Sequence, residues 1–136
     1  MEAWRIGLAT LATGLAIGGC TPQPPPPPAA PAVSYDGTYQ GTVSLTNVGA
    51  GVPRAGCATT PQMVLQVKNN AFTYSQPHPN MTGVGTTTYT VTIAPNGSFS
   101  GQSQVTGTMS GTVSGTHMAG TIDGIECVYS FAADRS

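Results

Sequence analysis

The sequence predicts an all-β domain: an eight-stranded antiparallel meander closed into a small barrel, with a two-layer β-sandwich as the alternative. Three observations point there. Beyond its first turns the chain is written in Thr, Gly, Ser and Val, the vocabulary of strands and turns, and it lacks the Ala, Leu, Glu, Lys and Arg runs that helices favour. Apolar and polar residues alternate with a period of two over most of the length from Tyr35 onward. The turn residues between the alternating runs also reverse or preserve the inward parity as their lengths require.

The first strand runs from Thr38 to Thr46, with Tyr39, Gly41, Val43 and Leu45 at odd positions and only Thr, Gln and Ser between them. A second carries Met63, Leu65 and Val67 on one face, a third Phe72 and Tyr74, and a fourth Tyr89, Val91 and Ile93 against Thr88, Thr90 and Thr92. From Ser98 to Val113 every even position is Ser, Gln or Thr, but sixteen residues exceed an ordinary strand. The run therefore divides near Gln102-Ser103-Gln104. The last two strands present Met118, Gly120 and Ile122, then Ile125, Cys127, Tyr129 and Phe131.

Four turns check this assignment. Asn69-Asn70 and Asp123-Gly124 are two-residue loops that switch parity and suit type I′ geometry; Gly115-Thr116 switches it with Gly first, as type II′ wants. Pro95-Asn96-Gly97 has three residues ending in Gly, and the inward face stays odd from Ile93 to Phe99. Two longer connections, Asn47 to Pro61 and Ser75 to Gly85, are the places where function is expected. Barrel closure is preferred to a sandwich because these strands lack the Lys and Pro that protect open edges. The short Gly-Thr repeat around Gly107 to Thr116 covers too little of the chain for a solenoid.

With 136 residues there is room for one small domain, and 7% charged residues at a net charge of −1 exclude a basic nucleic-acid surface, an acidic tail and a charged disordered region. At the amino terminus, one Arg precedes an apolar run from Ile6 to Ile17 that is too short to span a bilayer. It ends in Ile17-Gly18-Gly19-Cys20, which resembles the lipobox of bacterial lipoproteins. The resemblance implies a signal peptide over 1–19 and lipidation of Cys20, giving a membrane anchor of several acyl chains. Thr21 stands where Asp would resemble an inner-membrane retention signal, so the resemblance points to the outer membrane of a bacterial cell envelope. Glu2 inside the basic region departs from the pattern, and an ordinary cleaved signal with an incidental Cys is the alternative.

Residues 20–34 then read as the lipidated Cys and a proline-rich tether, holding seven of the twelve prolines and no charge. Polyproline II extends about 3.1 Å per residue, so this stretch can hold a domain at 35–136 a few nanometres from a lipid surface. No flanking basic residue marks it as a ligand for a proline-recognising domain. Within 35–136, the stretch Tyr35-Asp36-Gly37-Thr38-Tyr39-Gln40-Gly41-Thr42, with Cys57, Asn96-Gly97-Ser98-Phe99-Ser100-Gly101 and Cys127-Val128-Tyr129-Ser130-Phe131, resembles small exported bacterial β-domains of unassigned activity. That resemblance brings no catalytic residues. If Cys20 is lipidated, Cys57 and Cys127 are the pair left in an oxidising envelope and are expected to form a disulfide. A Cys/His metal site is the competing reading, though neither Cys has another Cys or His at ligand spacing.

An enzyme is not expected. The ionisable residues Asp36, Asp123, Asp134, Glu126, Lys68, Arg54 and Arg135 match no nucleophile elbow, zinc helix or phosphate loop, and Asp36 and Asp123 are assigned to their turns. His78, Met81 and His117 are weak candidates for copper, since imidazole and thioether suit that ion, but no metal or other cofactor is expected. The expected function is a structural or protein-interaction module using an envelope partner and the loops around Arg54 and His78. The alternatives are a lipocalin-like small-molecule barrel and an envelope protease inhibitor, the latter on fold analogy alone. The interior is expected to be filled, with Gly41, Gly101, Gly107, Gly111 and Gly120 acting as hollows for neighbouring rings.

Overall fold

The computed structural model describes residues 19, 22–57, 59–77, 85–124 and 126–136. The chain forms two units, Met1–Ala30 and Pro31–Ser136. In the first, the described residues 22–30 have no regular structure. The predicted lipidation site Cys20 lies outside the described residues, as do His78, Met81 and Ile125.

The second unit is all-β. Its strands are β1 (Gly37–Val48), β2 (Gln62–Val67), β3 (Ala71–Pro77), β4 (Thr86–Ile93), β5 (Ser98–Ser103), β6 (Thr108–Ser114), β7 (His117–Asp123) and β8 (Cys127–Arg135), with one 3₁₀ turn at Arg54–Cys57. They form one antiparallel sheet in the order β2-β1-β8-β7-β6-β5-β4-β3. The first and last strands pair from Tyr39 with Arg135 to Val48 with Cys127, which is the closure the even strand number predicts. Period-two alternation sorts the side chains: Tyr39, Leu65, Val91, Met109, Met118, Ile122 and Tyr129 are almost fully buried, while the Thr and Ser between them face outward.

Three turns have the predicted geometry. Asn69 and Asn70 both take φ of 54°, as type I′ requires, and Lys68 and Ala71 exchange backbone hydrogen bonds across them. Gly115 has φ of 61° between paired Ser114 and His117. In the three-residue turn, Gly97 takes φ of 85° and its N–H bonds to the Ala94 carbonyl.

The fourth turn differs. Asp123 pairs with Val128, so the strand continues through it; the Gly124 N–H bonds to the Cys127 carbonyl, and Gly124 has no positive φ. The register moves by an even number of residues, so Ile122 faces Tyr129 instead of residue 125, and both remain on the inner face. Asp123 is an exposed strand residue rather than a turn residue. Leu45 is only half-buried because a bulge between Leu45 and Asn47 re-aims the end of β1. Val105 continues the odd-numbered pattern but is 46% exposed, since it sits in the connection after β5.

Closure is incomplete at one seam. Strands β2 and β3 share the Asn69-Asn70 turn, yet beyond the single Lys68–Ala71 bridge they do not pair. Along this seam Met63, Leu65 and Val67 on one strand and Phe72, Tyr74 and Gln76 on the other are nevertheless all buried.

The interior is filled much as expected. Phe72 packs edge-on to Phe99 at 5.8 Å between ring centres, Phe99 lies 6.1 Å from Phe131, and Tyr74 stacks on Tyr89 at 6.4 Å. A Cβ on Gly111 would meet the Phe99 ring at 2.6 Å, one on Gly120 would meet Phe131 at 3.0 Å, and one on Gly107 the Tyr89 hydroxyl at 2.9 Å. At Gly41 and Gly101 the obstruction is the backbone of the neighbouring strand rather than a ring, so those two glycines permit close strand approach.

Candidate functional site

The register gives the barrel two unlike ends. One gathers the tight turns Asn69-Asn70, Pro95–Gly97 and Gly115-Thr116, with the start of β1 and the carboxyl terminus. The other gathers the longer connections, since Val48, Gln62, Pro77, Thr86, Ser103, Thr108, Asp123 and Cys127 all end or begin strands there.

At the turn end the incoming chain is fixed by its polar atoms. The Asp36 carboxylate accepts the Asn69 and Asn70 backbone N–H groups at 3.0 and 2.8 Å, rather than closing a bend of its own. Asn70 in turn accepts the Tyr35 N–H at 2.7 Å and donates to the Val33 carbonyl at 3.0 Å. Tyr39 donates to the Tyr35 carbonyl and Tyr35 to the Pro95 carbonyl, tying the same segment to a second turn. The two backbone donors, Asn70 then Asn69, hold the Asp36 carboxyl below its ordinary value, with Lys68 adding to the effect. A depressed carboxylate pKa stabilises the fold fully above the ordinary carboxylate range and loses that contribution as pH falls through the folded-state value. Asp36→Asn should therefore be less stable than the wild type at neutral pH, with the difference in melting temperature shrinking on acidification. A difference independent of pH would show that the carboxylate charge contributes nothing.

His117 also belongs to the turn end. Its Nδ1 lies 2.8 Å from Asp134 Oδ1 on the adjoining strand, with both side chains more than half exposed. Pro77 and Thr86, which bracket residues 78–85, are at the opposite end. Among the described residues no group of three His, Cys, Asp or Glu side chains could hold a metal ion.

At the loop end, Cys57 and Cys127 lie at disulfide distance, with Sγ atoms 1.97 Å apart and Cα atoms 5.6 Å apart across a sequence separation of 70. Around them Tyr129 donates to the Cys57 carbonyl at 2.8 Å and the Gly49 N–H to the Glu126 carbonyl at 2.7 Å. Glu126 itself is exposed, as its outward parity predicts. Arg54 is exposed on the 3₁₀ turn.

Beneath this end lies a cavity of about 40 Å³, walled by Gln76, Thr87, Tyr89, Ser103, Val105 and Tyr129 among others. Gln76 was hidden in sequence inside a presumed loop, but β3 continues to Pro77, so the even-numbered face Phe72, Tyr74 runs on to Gln76. Thr87 is buried on β4 for the same reason. Gln76 is 1% exposed, and among the described residues neither its Oε1 nor its Nε2 has a hydrogen-bond partner; the Ser103 Oγ is likewise unpaired there. Leaving such groups unpaired costs about 1–3 kcal/mol each. Burial pushes the Tyr74, Tyr89 and Tyr129 hydroxyls up from their ordinary value, so these tyrosines stay protonated at neutral pH. On the outer side of the Gln104–Gly107 connection an open groove of about 390 Å³ is lined by Gln102, Thr106, Thr108 and Asp123.

No family model matches the chain, and neither do any curated protein or solved structure.

Proposed function

We propose that the chain is a cell-envelope lipoprotein, anchored to the outer membrane through Cys20, whose barrel acts as a protein-interaction module through its loop end. The observation that carries this reading is the polarity of the barrel. The tether joins at the turn end, where Val33, Tyr35 and Asp36 are fastened, so the cavity, the groove and the half-exposed Val105 sit at the end farthest from the attachment. A domain held this way presents its irregular connections outward, where recognition commonly resides. The alternative of a lipocalin-like barrel is less well supported, because such chambers hold about 300–1,000 Å³ whereas this cavity holds about 40 Å³.

Two measurements test the two halves of the proposal. Cys20→Ala should accumulate as unprocessed precursor and lose the detergent-extractable mature form; unchanged fractionation would sink the anchor. A photo-crosslinking side chain at Thr106 should give a defined adduct in intact envelopes while one at Asn96, on the turn end, should not. Equal labelling at both would remove the case for a working end.

A further inference from the structure

We infer that the cavity beneath the loop end is a recognition site for a neutral carboxamide, taken up by amide-to-amide pairing with Gln76. The inference rests on the loop end being the working end of the barrel and adds the chemistry it reads.

Gln76 lines the cavity and offers a donor and an acceptor in one plane, neither with a partner among the described residues. A group that satisfies both atoms at once must itself accept and donate side by side. A carboxylate cannot donate to Oε1. A nucleobase edge has the right pattern but is too bulky for about 40 Å³. A carboxamide fits the pattern, the size and the neutral surroundings, with Ser103 Oγ available as a further partner. The remaining wall is mostly carbon, from Tyr89 and Tyr129 rings and Val105 methyl groups, which suits the short apolar stem that such an amide carries. Resident water is the competing occupant, and it needs two or more polar partners for each molecule.

The same chemistry could arrive as a free small amide or as an Asn or Gln side chain of a partner. The full chain, ¹⁵N-labelled and purified under oxidising conditions, is titrated with acetamide and, separately, with a blocked glutamine peptide, while the Gln76 side-chain NH₂ resonances are followed. Saturable shifts at millimolar concentration are expected, the range open to a ligand of few atoms. Tighter binding of the peptide would identify a partner's side chain as the source, and tighter binding of acetamide a free amide. Acetate should leave the resonances unmoved. Gln76→Met should abolish the saturable shifts at the backbone amides of Ser103 and Tyr89 and raise the melting temperature, because it removes the unpaired amide; the rise separates lost recognition from lost folding. Shifts that grow linearly without saturation, that persist in Gln76→Met, or that acetate reproduces would overturn the inference. So would a high-resolution structure in which ordered waters satisfy Gln76 and are not displaced by acetamide. Because the titration needs no membrane, its outcome is independent of whether Cys20 is lipidated.

Discussion

Replacing both Cys57 and Cys127 with alanine is expected to lower the stability of the barrel by about 4 kcal/mol, the chain-entropy value for closing so long a loop. The separation of 70 residues sets that magnitude. For a domain of this size it corresponds to a fall in melting temperature on the order of 15 °C. The position of the pair suggests that the effect concentrates at the loop end. Cys57 closes the long connection after β1, whose other described ties to β8 are the Tyr129 hydroxyl to the Cys57 carbonyl and the Gly49 N–H to the Glu126 carbonyl. Calorimetry of the double variant against the oxidised wild type measures the first part, and amide exchange at Gly49 and Tyr129 the second. A double variant melting within about 2 °C of the wild type would mean that the unfolded chain is not expanded enough for the cross-link to matter. The double substitution is the right comparison, because a single one leaves a buried free thiol.

How much of this could be seen in the sequence follows from what is local. Inward faces are set by a period of two, so Tyr39, Leu65, Val91, Met109, Ile122 and Tyr129 could be placed one strand at a time. Turns whose residues demand positive φ were equally legible, as Asn69-Asn70 and Gly97 show. Asp123-Gly124 carried the same kind of signal and misled. There the pairing of Ile122 with Tyr129 and of Asp123 with Val128 wins over the local preference, and parity alone could not have detected the difference, since the displaced register keeps the same faces inward.

Features that depend on distant partners were not legible. Nothing within β2 and β3 foretells that a good type I′ turn would be followed by strands that separate, because the pairing of β1 with β8 determines how the barrel closes. Asp36 looked like part of its own bend, and its true partners are Asn69 and Asn70, more than thirty residues away. Gln76 was the recoverable omission. Extending the even-numbered alternation two residues past Tyr74 would have placed a glutamine on the inner face, which is the kind of conflict between pattern and polarity that marks a functional position.

Adding a single methyl group should be strongly damaging at Gly111 and Gly120, although neither needs the conformational freedom of glycine, since neither has a positive φ. Their obstruction is steric and comes from two sides. A Cβ at Gly111 would lie 2.2 Å from the Ala119 carbonyl oxygen and 2.6 Å from the Phe99 ring; one at Gly120 would lie 2.1 Å from the Ser110 carbonyl oxygen and 3.0 Å from Phe131. The two residues face each other in the β6–β7 ladder, so neither strand can retreat without opening the pairing between them. Forcing atoms into a packed interior typically costs about 1–3 kcal/mol, and contacts with backbone cannot be relieved by a rotamer change, so Gly111→Ala and Gly120→Ala are each placed at about 3 kcal/mol or more. Gly56→Ala is the matched control: an added Cβ there meets nothing within 4 Å, and Gly56 has no positive φ. It should leave stability within about 0.5 kcal/mol, as surface changes do. Denaturant unfolding of the three variants decides the matter. If Gly111→Ala and Gly120→Ala unfold at the wild-type midpoint, β6 and β7 are not packed as closely as their pairing requires. If Gly56→Ala falls as far as they do, the loss comes from replacing glycine as such and not from the approach of the two strands.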